Sequence, residues 1–487
     1  MTLAENRIHW PAFGVALLWG LNLILRSWNL GSPPGLVFDE VHYVPFAVDY
    51  LQHQPFFDLH PPLGKYLIAL SIYLYQVLGL PDNGPLVAGM ALHPISYRWL
   101  NALLGSLLPL LALWMAWVWT VGLPLKRRRT FAALAGLLTS WDGFTLVESR
   151  LALLHPGMIG LGLLALGAWG KARHADTPWR WRLLAGLALG GAISVKWNGA
   201  GFGLAVALSE WFLFPPAPLN KGGGDSRGDQ GIPKRHSLKR SFPWLWLFWI
   251  PLGVYSLLWI PHLHLVETGF WEIHRTILTA HLGLTDTHSY QSAWFTWPLI
   301  IRPIAYFYQT LGPQETLGLI GPPVPNPDRA VALYGMGNPI LWWLSAGAIV
   351  TGIAQTLKRR WPRHPAPETV IRRLRQGQSS TSDQLVKTAL PQFLLLAYWV
   401  NWLPWAMVQR STFLYHYQPA VLMAELLLAW QMSGWLTARP SWRYGGWALV
   451  GLIAWGFGFW LPLWIGLPLP VDAMNWRWWL PSWICVV

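Results

Sequence analysis

The sequence predicts an all-α, polytopic membrane protein with about eleven transmembrane helices. Of its 487 residues, 53% are hydrophobic and only 11% are charged, whereas soluble domains carry about 25% charged residues. Apolar runs near the ~20 residues that cross a bilayer recur along most of the chain. Short basic clusters separate these runs, which is typical of loops on the cytoplasmic side.

Eleven apolar runs are predicted to cross the membrane, with the N-terminus in the cytoplasm and the C-terminus outside. They are residues 10–28, 98–122, 131–147, 153–170, 183–195, 197–214, 244–262, 339–357, 391–408, 418–435 and 445–466. The run 66–80 is short for a span, and counting it as one would place the basic cluster Lys126–Arg129 outside. We therefore expect it to be an interfacial or re-entrant helix.

This threading makes residues 1–487 one transmembrane domain with loops on both faces. Residues 29–97 and 263–338 form the large outer loops, while 215–243 and 358–390 are predicted to be flexible cytoplasmic loops. The net charge of +14 lies mostly in such cytoplasmic breaks, which argues against nucleic-acid binding. No Gly-rich phosphate loop precedes a helix, so a cytosolic nucleotide site is not expected.

Few cations remain on the predicted outer side, and most of them lie near the ends of spans. They are Arg26, Lys65, Arg98, Arg150, Lys196, Arg275, Arg302, Arg329, Arg410 and Arg477. A cation at a helix end can simply extend toward the polar interface. Lys196 is different because "GGAISVKWNGAGFG" leaves no loop between two spans, and an ionisable group at that depth indicates function.

The outer stretch "GLVFDEVHYV" carries two adjacent acids, Asp39 and Glu40. A solvated turn after "GSPPG" is one interpretation. The other is a catalytic pair, favoured because Asp58, His60 and Lys65 follow in the same loop. Neighbouring side chains point in different directions, so one acid would be a general base and the other an orienting group. His262 and His264 alternate without a third ligand, and no metal site is predicted.

Carboxylates and scattered cations on an outer face suit the transfer of a sugar from a lipid phosphate. A phosphate leaving group needs cations to hold its developing charge. The acceptor hydroxyl needs one base, which contributes about 10²–10⁴-fold. The donor lipid would then be a co-substrate, and no cofactor is expected.

Several stretches together closely resemble protein O-mannosyltransferases. They are "FDEVHYVPFAVDYLQHQPFFDLHPPLGKYLIAL", "YRWLNALLGSL", "WDGFTLVESRLALL", "SVKWNGAGF", "HSYQSAWFTWPLIIRP" and "RSTFLYHYQPAVL", in the family's order over most of the chain. The resemblance implies a GT-C membrane fold with eleven spans. It also implies transfer of mannose, with inversion, from polyprenyl-phosphate mannose to Ser or Thr of secreted or membrane proteins.

The resemblance also implies roles for individual residues. Asp39 resembles the catalytic base and Glu40 the acidic neighbour that places the acceptor. Arg98, Lys196 and Arg150 resemble residues that bind the donor phosphate. Other residues in matching motifs are expected to bind substrate: His60, Lys65, Gln291, Arg302, His416 and Tyr417. His155 stands where relatives often carry Asp, so no role is carried over to that position.

Eukaryotic members insert a β-trefoil (MIR) domain where this chain has loop 263–338, which has no room for one. The resemblance therefore indicates a bacterial member at the plasma (inner) membrane. Its expected partners are the lipid donor, membrane lipids and Ser/Thr-containing polypeptides at the secretion translocon, with no nucleic acid.

Two alternatives remain. A related GT-C enzyme could transfer its sugar to a lipid, as aminoarabinose transferases do, although the "FLYHYQP" and "HPPLGK" stretches favour the protein-modifying branch. A transporter would show paired repeats and charges near the bilayer midplane, and neither is visible in the sequence.

The charge pattern makes a testable prediction about topology. In a Cys485→Ser background, cysteines introduced as Asp225→Cys and Val370→Cys should be protected from an impermeant thiol reagent in intact cells. Thr285→Cys should react, because it lies in the outer loop. Permeabilised cells provide the control, since all positions should then be labelled. Labelling of position 225 from outside would contradict the eleven-span topology.

Overall fold

The computed structural model describes residues 12–213, 243–283, 287–312, 328–360, 381–438 and 440–484. Most of these residues are helical. The helices are α1 (Ala12–Ser27), α2 (Glu40–Leu51), α3 (Leu63–Val77), α4 (Pro94–Ser106), α5 (Leu108–Trp119), α6 (Leu125–Ser140), α7 (Gly143–Ser149), α8 (His155–Ala172), α9 (Pro178–Val195), α10 (Ala200–Phe212), α11 (Ile250–Val266), α12 (Phe270–Gly283), α13 (Pro339–Arg360), α14 (Thr381–Trp402), α15 (Gln418–Thr437), α16 (Pro440–Ile465) and α17 (Val471–Asn475).

Each predicted span coincides with a helix or a helix pair. Among the described residues, five helical segments are long and apolar enough to cross a membrane: Pro94–Trp119, Leu245–Val266, Pro339–Lys358, Leu414–Thr437 and Pro440–Ile465. The pair α6 and α7 adds a sixth if its 57° bend lies within one span. The count of eleven stays a prediction. The run 66–80 falls largely within the short helix α3.

The loop predicted at 358–390 is helical at both ends, because α13 continues to Arg360 and α14 begins at Thr381. The flexibility of the loops 215–243 and 358–390 stays a prediction. The intervening residues, and nearly all of loop 215–243, lie outside the described residues.

Helix α15 forms the centre of the helical core. It packs against α6, α13, α14 and α16, and most of its side chains are buried.

Helix α4 packs closely against α7, and Gly105 of α4 allows this close approach. A Cβ at this position would lie only 2.0 Å from Ser149 Oγ, so a larger residue would push the two helices apart.

The part of the chain that the structure describes also contains five strands, which the sequence analysis did not predict. A hairpin pairs β1 (Leu86–Val87) with β2 (Met90–Ala91), and a sheet has the order β3 (Ile304–Leu311), β4 (Arg329–Gly335), β5 (Leu469–Pro470). The β3 and β4 sequences "IAYFYQTL" and "RAVALYG" are rich in β-branched and aromatic residues, which favour strands. Both strands belong to the outer loop 263–338, and β4 packs on α7 and α16.

Candidate active site

Asp39 lies at the start of α2, and an unusual backbone conformation precedes it. Phe38 has φ of 50°, a left-handed value that is uncommon for a bulky residue. Its ring packs on Tyr306 of β3, with ring centroids 4.8 Å apart, and on Phe413 and Tyr415. Strained residues of this kind persist when their surroundings hold them and are concentrated at functional sites. The aromatic contacts therefore fix the direction in which the chain enters α2.

The Asp39 carboxylate is only lightly hydrogen-bonded. Oδ2 accepts from the Tyr43 hydroxyl at 3.4 Å, and Oδ1 accepts from no described residue. Burial, assisted by the charge of the nearby Glu148, raises the pKa of Asp39 to about 6, although Lys196, His42 and Tyr43 oppose the rise. A carboxylate with a free oxygen and a pKa near neutrality is suited to accept a proton.

The Glu40 carboxylate, in contrast to that of Asp39, is fully hydrogen-bonded within the protein. It is fully buried, and both of its oxygens are occupied. Oε1 accepts from Arg98 Nε (2.8 Å) and Ala152 N (2.7 Å), and Oε2 accepts from Arg98 Nη2 (2.7 Å) and Val37 N (3.1 Å). Both side-chain oxygens are thus hydrogen-bonded within the protein, and the role of Glu40 in placing the acceptor stays a prediction.

Arg98 is likewise fully occupied. Besides its two bonds to Glu40, it donates through Nη1 to the carbonyls of Leu30 (3.2 Å) and Pro33 (2.8 Å), and through Nη2 to Gly35 (2.8 Å). A guanidinium has five N–H donors, and these contacts use all of them. In this structure Arg98 holds residues 30–40 together, and its predicted contact with the donor phosphate stays a prediction.

Arg150 and Lys65 also have structural contacts in place of the predicted substrate contacts. Arg150 Nη1 donates to the carbonyls of Leu25 (3.0 Å) and Trp28 (2.7 Å), at the C-terminal end of α1, where a cation is favourable. Lys65 forms an ion pair with Asp58. The same ammonium also donates to the backbone carbonyls of residues 60 (2.7 Å) and 61 (3.0 Å), which locks the loop that precedes α3.

Lys196, at the junction of α9 and α10, is a predicted phosphate-binding residue whose described contacts include neither a carboxylate nor a backbone carbonyl. It is buried, and Nζ lies 2.9 Å from His155 Nε2 and 4.7 Å from the centroid of the Tyr415 ring. No carboxylate of the described chain lies within ion-pair distance, although Lys196 interacts electrostatically with Asp39. Its charge therefore remains available to an anionic ligand.

The sequence analysis missed a second carboxylate beside the site. Glu148 of α7 is fully buried. It lies 2.8 Å from His155 Nδ1 and accepts a hydrogen bond from the Tyr306 hydroxyl. The only sequence signal was its place in "WDGFTLVESRLALL", a motif from which Arg150 alone was carried forward. Tyr306 lies in the unpredicted strand β3, so nothing local in the sequence indicated this pairing.

The remaining predicted residues divide into two groups. The His60 imidazole lies near the site, and burial, together with the charges of Lys196, Lys65, His281 and Arg410, holds its pKa well below the usual range. The rings of His416 and Tyr415 have centroids 4.5 Å apart. The other three form contacts outside the immediate surroundings of Asp39: Gln291 with Ser411 (2.6 Å), Arg302 with the Ser289 carbonyl (2.9 Å) and Tyr417 with Tyr398 (3.1 Å).

Arg410 was noted as an outer cation but was not predicted as a site residue. Its charge acts on His60, Tyr415 and Lys196, which places it at the same site. Its one described hydrogen bond is a long contact of 3.4 Å to the Ser411 carbonyl. Among the described residues, no group of three or more His, Cys, Asp or Glu side chains is arranged to hold a metal ion.

Comparison with known families identifies the class of protein. The family model described as "Dolichyl-phosphate-mannose-protein mannosyltransferase" matches residues 16–278, more than half of the chain. The chain belongs to this family. A second model, described as the "C-terminal four TMM region of protein-O-mannosyltransferase", matches residues 266–483. Together the two models cover the chain from α1 to its C-terminal segment, which confirms the predicted family.

Relatives extend over nearly the whole sequence. The polyprenol-phosphate-mannose–protein mannosyltransferase of Mycolicibacterium smegmatis is 25% identical over 538 residues, covering 96% of this chain and 92% of the relative. The Mycobacterium tuberculosis protein of the same name is 25% identical and covers 97% and 92%. Dolichyl-phosphate-mannose–protein mannosyltransferase 4 of Schizosaccharomyces pombe is 32% identical over 222 residues, covering 41% and 26%.

Solved structures confirm the GT-C fold. The Saccharomyces cerevisiae protein O-mannosyltransferase Pmt1-Pmt2 complex, bound to the sugar donor, aligns with a TM-score of 0.76 at 16% identity and covers 99% of this chain and 94% of that chain. ArnT from Cupriavidus metallidurans aligns with a TM-score of 0.52 at 14% identity, covering 91% and 63%. With its apolar helices, the chain is thus a multi-pass membrane protein of this fold.

The structural role of Arg98 is testable. Arg98→Ala should destabilise the protein by about 3–5 kcal/mol, because it leaves Glu40 buried without its ion-pair partner. The measurement is thermal unfolding of purified protein in detergent, followed by donor KM on the fraction that remains folded. Arg275→Ala, at an exposed residue of α12, is the matched control and should leave stability unchanged. An Arg98→Ala protein of wild-type stability with weakened donor use would support the phosphate-binding role.

Proposed function

We propose that this protein transfers mannose from polyprenyl-phosphate mannose to Ser and Thr hydroxyls of secreted or membrane proteins, on the extracytoplasmic face. Family membership makes the chain a protein mannosyltransferase, and the mycobacterial relatives are named for a polyprenol-phosphate-mannose donor and a protein acceptor. The proposal rests on two charged groups that act on each other electrostatically. One oxygen of the Asp39 carboxylate accepts no hydrogen bond from a described residue, and the buried Lys196 has no ion-pair partner among the described residues.

Asp39 is the proposed general base. The acceptor hydroxyl attacks the anomeric carbon, a new carbon–oxygen bond forms to the acceptor, and the bond from that carbon to the phosphate oxygen breaks. Asp39 takes the hydroxyl proton, and polyprenyl phosphate leaves with the electron pair of the broken bond. A single displacement of this kind inverts the anomeric configuration. The leaving phosphate needs no proton, so one carboxylate is sufficient.

Lys196 and Arg410 are the proposed phosphate-binding cations. Negative charge accumulates on the bridging oxygen as the sugar–phosphate bond breaks, and cations held in a water-poor site stabilise this charge most effectively. Lys196 is held by packing and by His155, whereas Arg410 lies in the segment between α14 and α15. The neutral imidazole of His60, close to both cations, is suited to hydrogen-bond the sugar without competing for the phosphate.

The reaction can be tested on membranes that contain the protein. Labelled polyprenyl-phosphate mannose and a Ser/Thr peptide should give labelled peptide, whereas a glycolipid acceptor should not become labelled. Label that enters the lipid but not the peptide would favour the lipid-modifying alternative. Label that enters neither acceptor, with a donor known to be intact, would contradict the proposed function.

Asp39→Asn should abolish transfer while leaving the protein folded. The amide is nearly isosteric but cannot take the hydroxyl proton, so kcat should fall on the order of 10²-fold or more. The wild-type rate should fall as the pH drops through about 6, because protonation of Asp39 removes the base. Initial rates with saturating donor, at equal amounts of folded enzyme, provide both tests. An active Asp39→Asn enzyme, or a wild-type rate unchanged down to pH 5, would exclude this role.

Lys196→Ala should weaken use of the donor. The leaving phosphate would lose a charge-assisted contact worth ~1.5–3 kcal/mol, seen as a higher donor KM and a lower kcat at unchanged acceptor KM. Lys196→Arg should restore little activity, because a planar guanidinium does not replace a compact ammonium. Arg275→Ala removes an exposed cation of α12 and is the control. Wild-type donor kinetics in Lys196→Ala would remove this residue from the site.

A further inference from the structure

Two turns of the helix bundle, remote from the candidate active site, are rich in cations. Residues 120–124 join α5 to α6, and residues 173–177 join α8 to α9. Helix α9 runs from the second turn to Lys196, so this turn lies about 27 Å from the proposed donor cation. Each turn separates two predicted spans, which places both turns at a membrane surface. This surface is the one that the sequence analysis predicts to be cytoplasmic.

The two helices that begin at these turns, α6 and α9, carry cations where acids are favourable. Their first residues are "LKRRR" and "PWRWR". Neither helix has an acidic residue in its first turn, and neither N-cap side chain, of Pro124 or Thr177, forms a capping hydrogen bond. A helix N-terminus carries partial positive charge, which anions stabilise and cations do not. Both N-termini therefore favour an anion that comes from outside the chain.

Arg128 of α6 is held in one orientation while its terminal nitrogens stay without partners. The residue is only 8% exposed. Its guanidinium carbon lies 3.7 Å from the centroid of the Trp117 ring, and Nε donates to the Trp117 carbonyl at 3.1 Å. Neither Nη1 nor Nη2 has a hydrogen-bond partner among the described residues. The ring and the carbonyl thus fix the plane of the guanidinium and leave a pair of N–H donors, the arrangement that binds a phosphate in bidentate fashion.

Cations of the second turn lie against the same end of α5. The Arg173 guanidinium carbon lies 5.4 Å from the centroid of the Trp119 ring, and Arg173 forms an ion pair with Glu210 (2.6 Å). Burial, together with the charges of Arg173, Arg128 and Lys171, lowers the pKa of the neighbouring His174 to about 4. Among the described residues, no carboxylate opposes this shift. The space around the His174 imidazole therefore has a positive potential.

We propose that a basic cluster, formed by Arg128, Lys171 and Arg173, binds the phosphate of an anionic phospholipid headgroup. Lipid phosphates lie at the membrane surface, where the two turns are placed, and basic pockets between transmembrane helices on the cytoplasmic side bind such headgroups. An anionic headgroup fits better than a zwitterionic one, because the latter brings a further cation into a region that is already positive. The inference does not rest on the proposed function, since the cluster lies outside the candidate active site.

The test is thermal unfolding of the purified full-length protein in a neutral detergent, titrated with phosphatidylglycerol. A ligand that binds the folded state stabilises it, so Tm should rise by about 2 °C or more at saturation. Phosphatidylcholine carries the same phosphate together with a cation, and it should raise Tm much less. Inorganic phosphate at the same concentrations should leave Tm unchanged, because it lacks the acyl chains that hold the lipid at the helix surface.

Arg128→Gln should weaken the binding of phosphatidylglycerol. The apparent affinity, taken from the dependence of Tm on lipid concentration, should fall about tenfold because a charge-assisted contact is lost. Lys358→Gln is the matched control and should keep the wild-type affinity. Lys358 is an exposed cation near the C-terminal end of α13, where a cation is favourable. Each variant is compared with its own lipid-free Tm, so a loss of stability is not mistaken for a loss of binding.

Three results would overturn the inference. The first is a wild-type Tm that does not rise with phosphatidylglycerol, or that rises equally with phosphatidylcholine. The second is an unchanged affinity for phosphatidylglycerol in folded Arg128→Gln. The third is a saturable rise with inorganic phosphate that equals the rise with lipid, which would indicate a site for free phosphate. If Arg128→Gln does not fold, Lys171→Gln decides: a weakened affinity supports the site, and a wild-type affinity overturns it.

Discussion

The buried ion pair between Glu40 and Arg98 is the interaction on which the site depends. A buried ion pair is stable only when its remaining donors and acceptors also have hydrogen-bond partners. Here backbone groups supply those partners. Arg98 binds the carbonyls of the segment that leads to Asp39, and Glu40 binds amides on both sides of the site. The pair thereby fixes the start of α2. Because Glu40 follows Asp39 directly, fixing one residue also fixes the backbone of the other.

The charged side chains around this site differ in how many of their donors and acceptors have a partner within the protein. In this structure Glu40, Arg98 and Lys65 have their donors or acceptors occupied by the protein, so they contribute to stability and offer no free group to a ligand. Asp39 has an unbonded oxygen and Lys196 has only a neutral partner. A buried charge that lacks hydrogen-bond or ion-pair partners costs free energy. Such a charge is retained at a site where a substrate supplies the missing partner. This difference separates functional residues from structural ones with the same chemistry.

The backbone conformation of Phe38 and the aromatic packing around it also fix the geometry of the site. The left-handed Phe38 is held by aromatic rings from β3 and from the segment before α15. Tyr306 of β3 also ends the chain that leads through Glu148 to Lys196. Strand β3 therefore contacts Phe38, the neighbour of the proposed base, and Glu148, which is connected through His155 to Lys196. A displacement of β3 would disturb both contacts, which links the segment 263–338 to the proposed site.

The sequence by itself determined the membrane class, the positions of the apolar helices and the family, and it made Asp39 and Lys196 candidate site residues, because hydropathy and motif order are local properties of the chain. It did not separate Asp39 from Glu40, or Lys196 from Arg98 and Arg150, since each set has the same chemistry and equivalent motif support. Only the tertiary structure decided between them, by bringing backbone carbonyls and amides from distant segments to some charges and leaving others without partners. Glu148, His155 and Tyr306 meet for the same reason: three segments far apart in the sequence become neighbours only when helices α7 and α8 and strand β3 pack together.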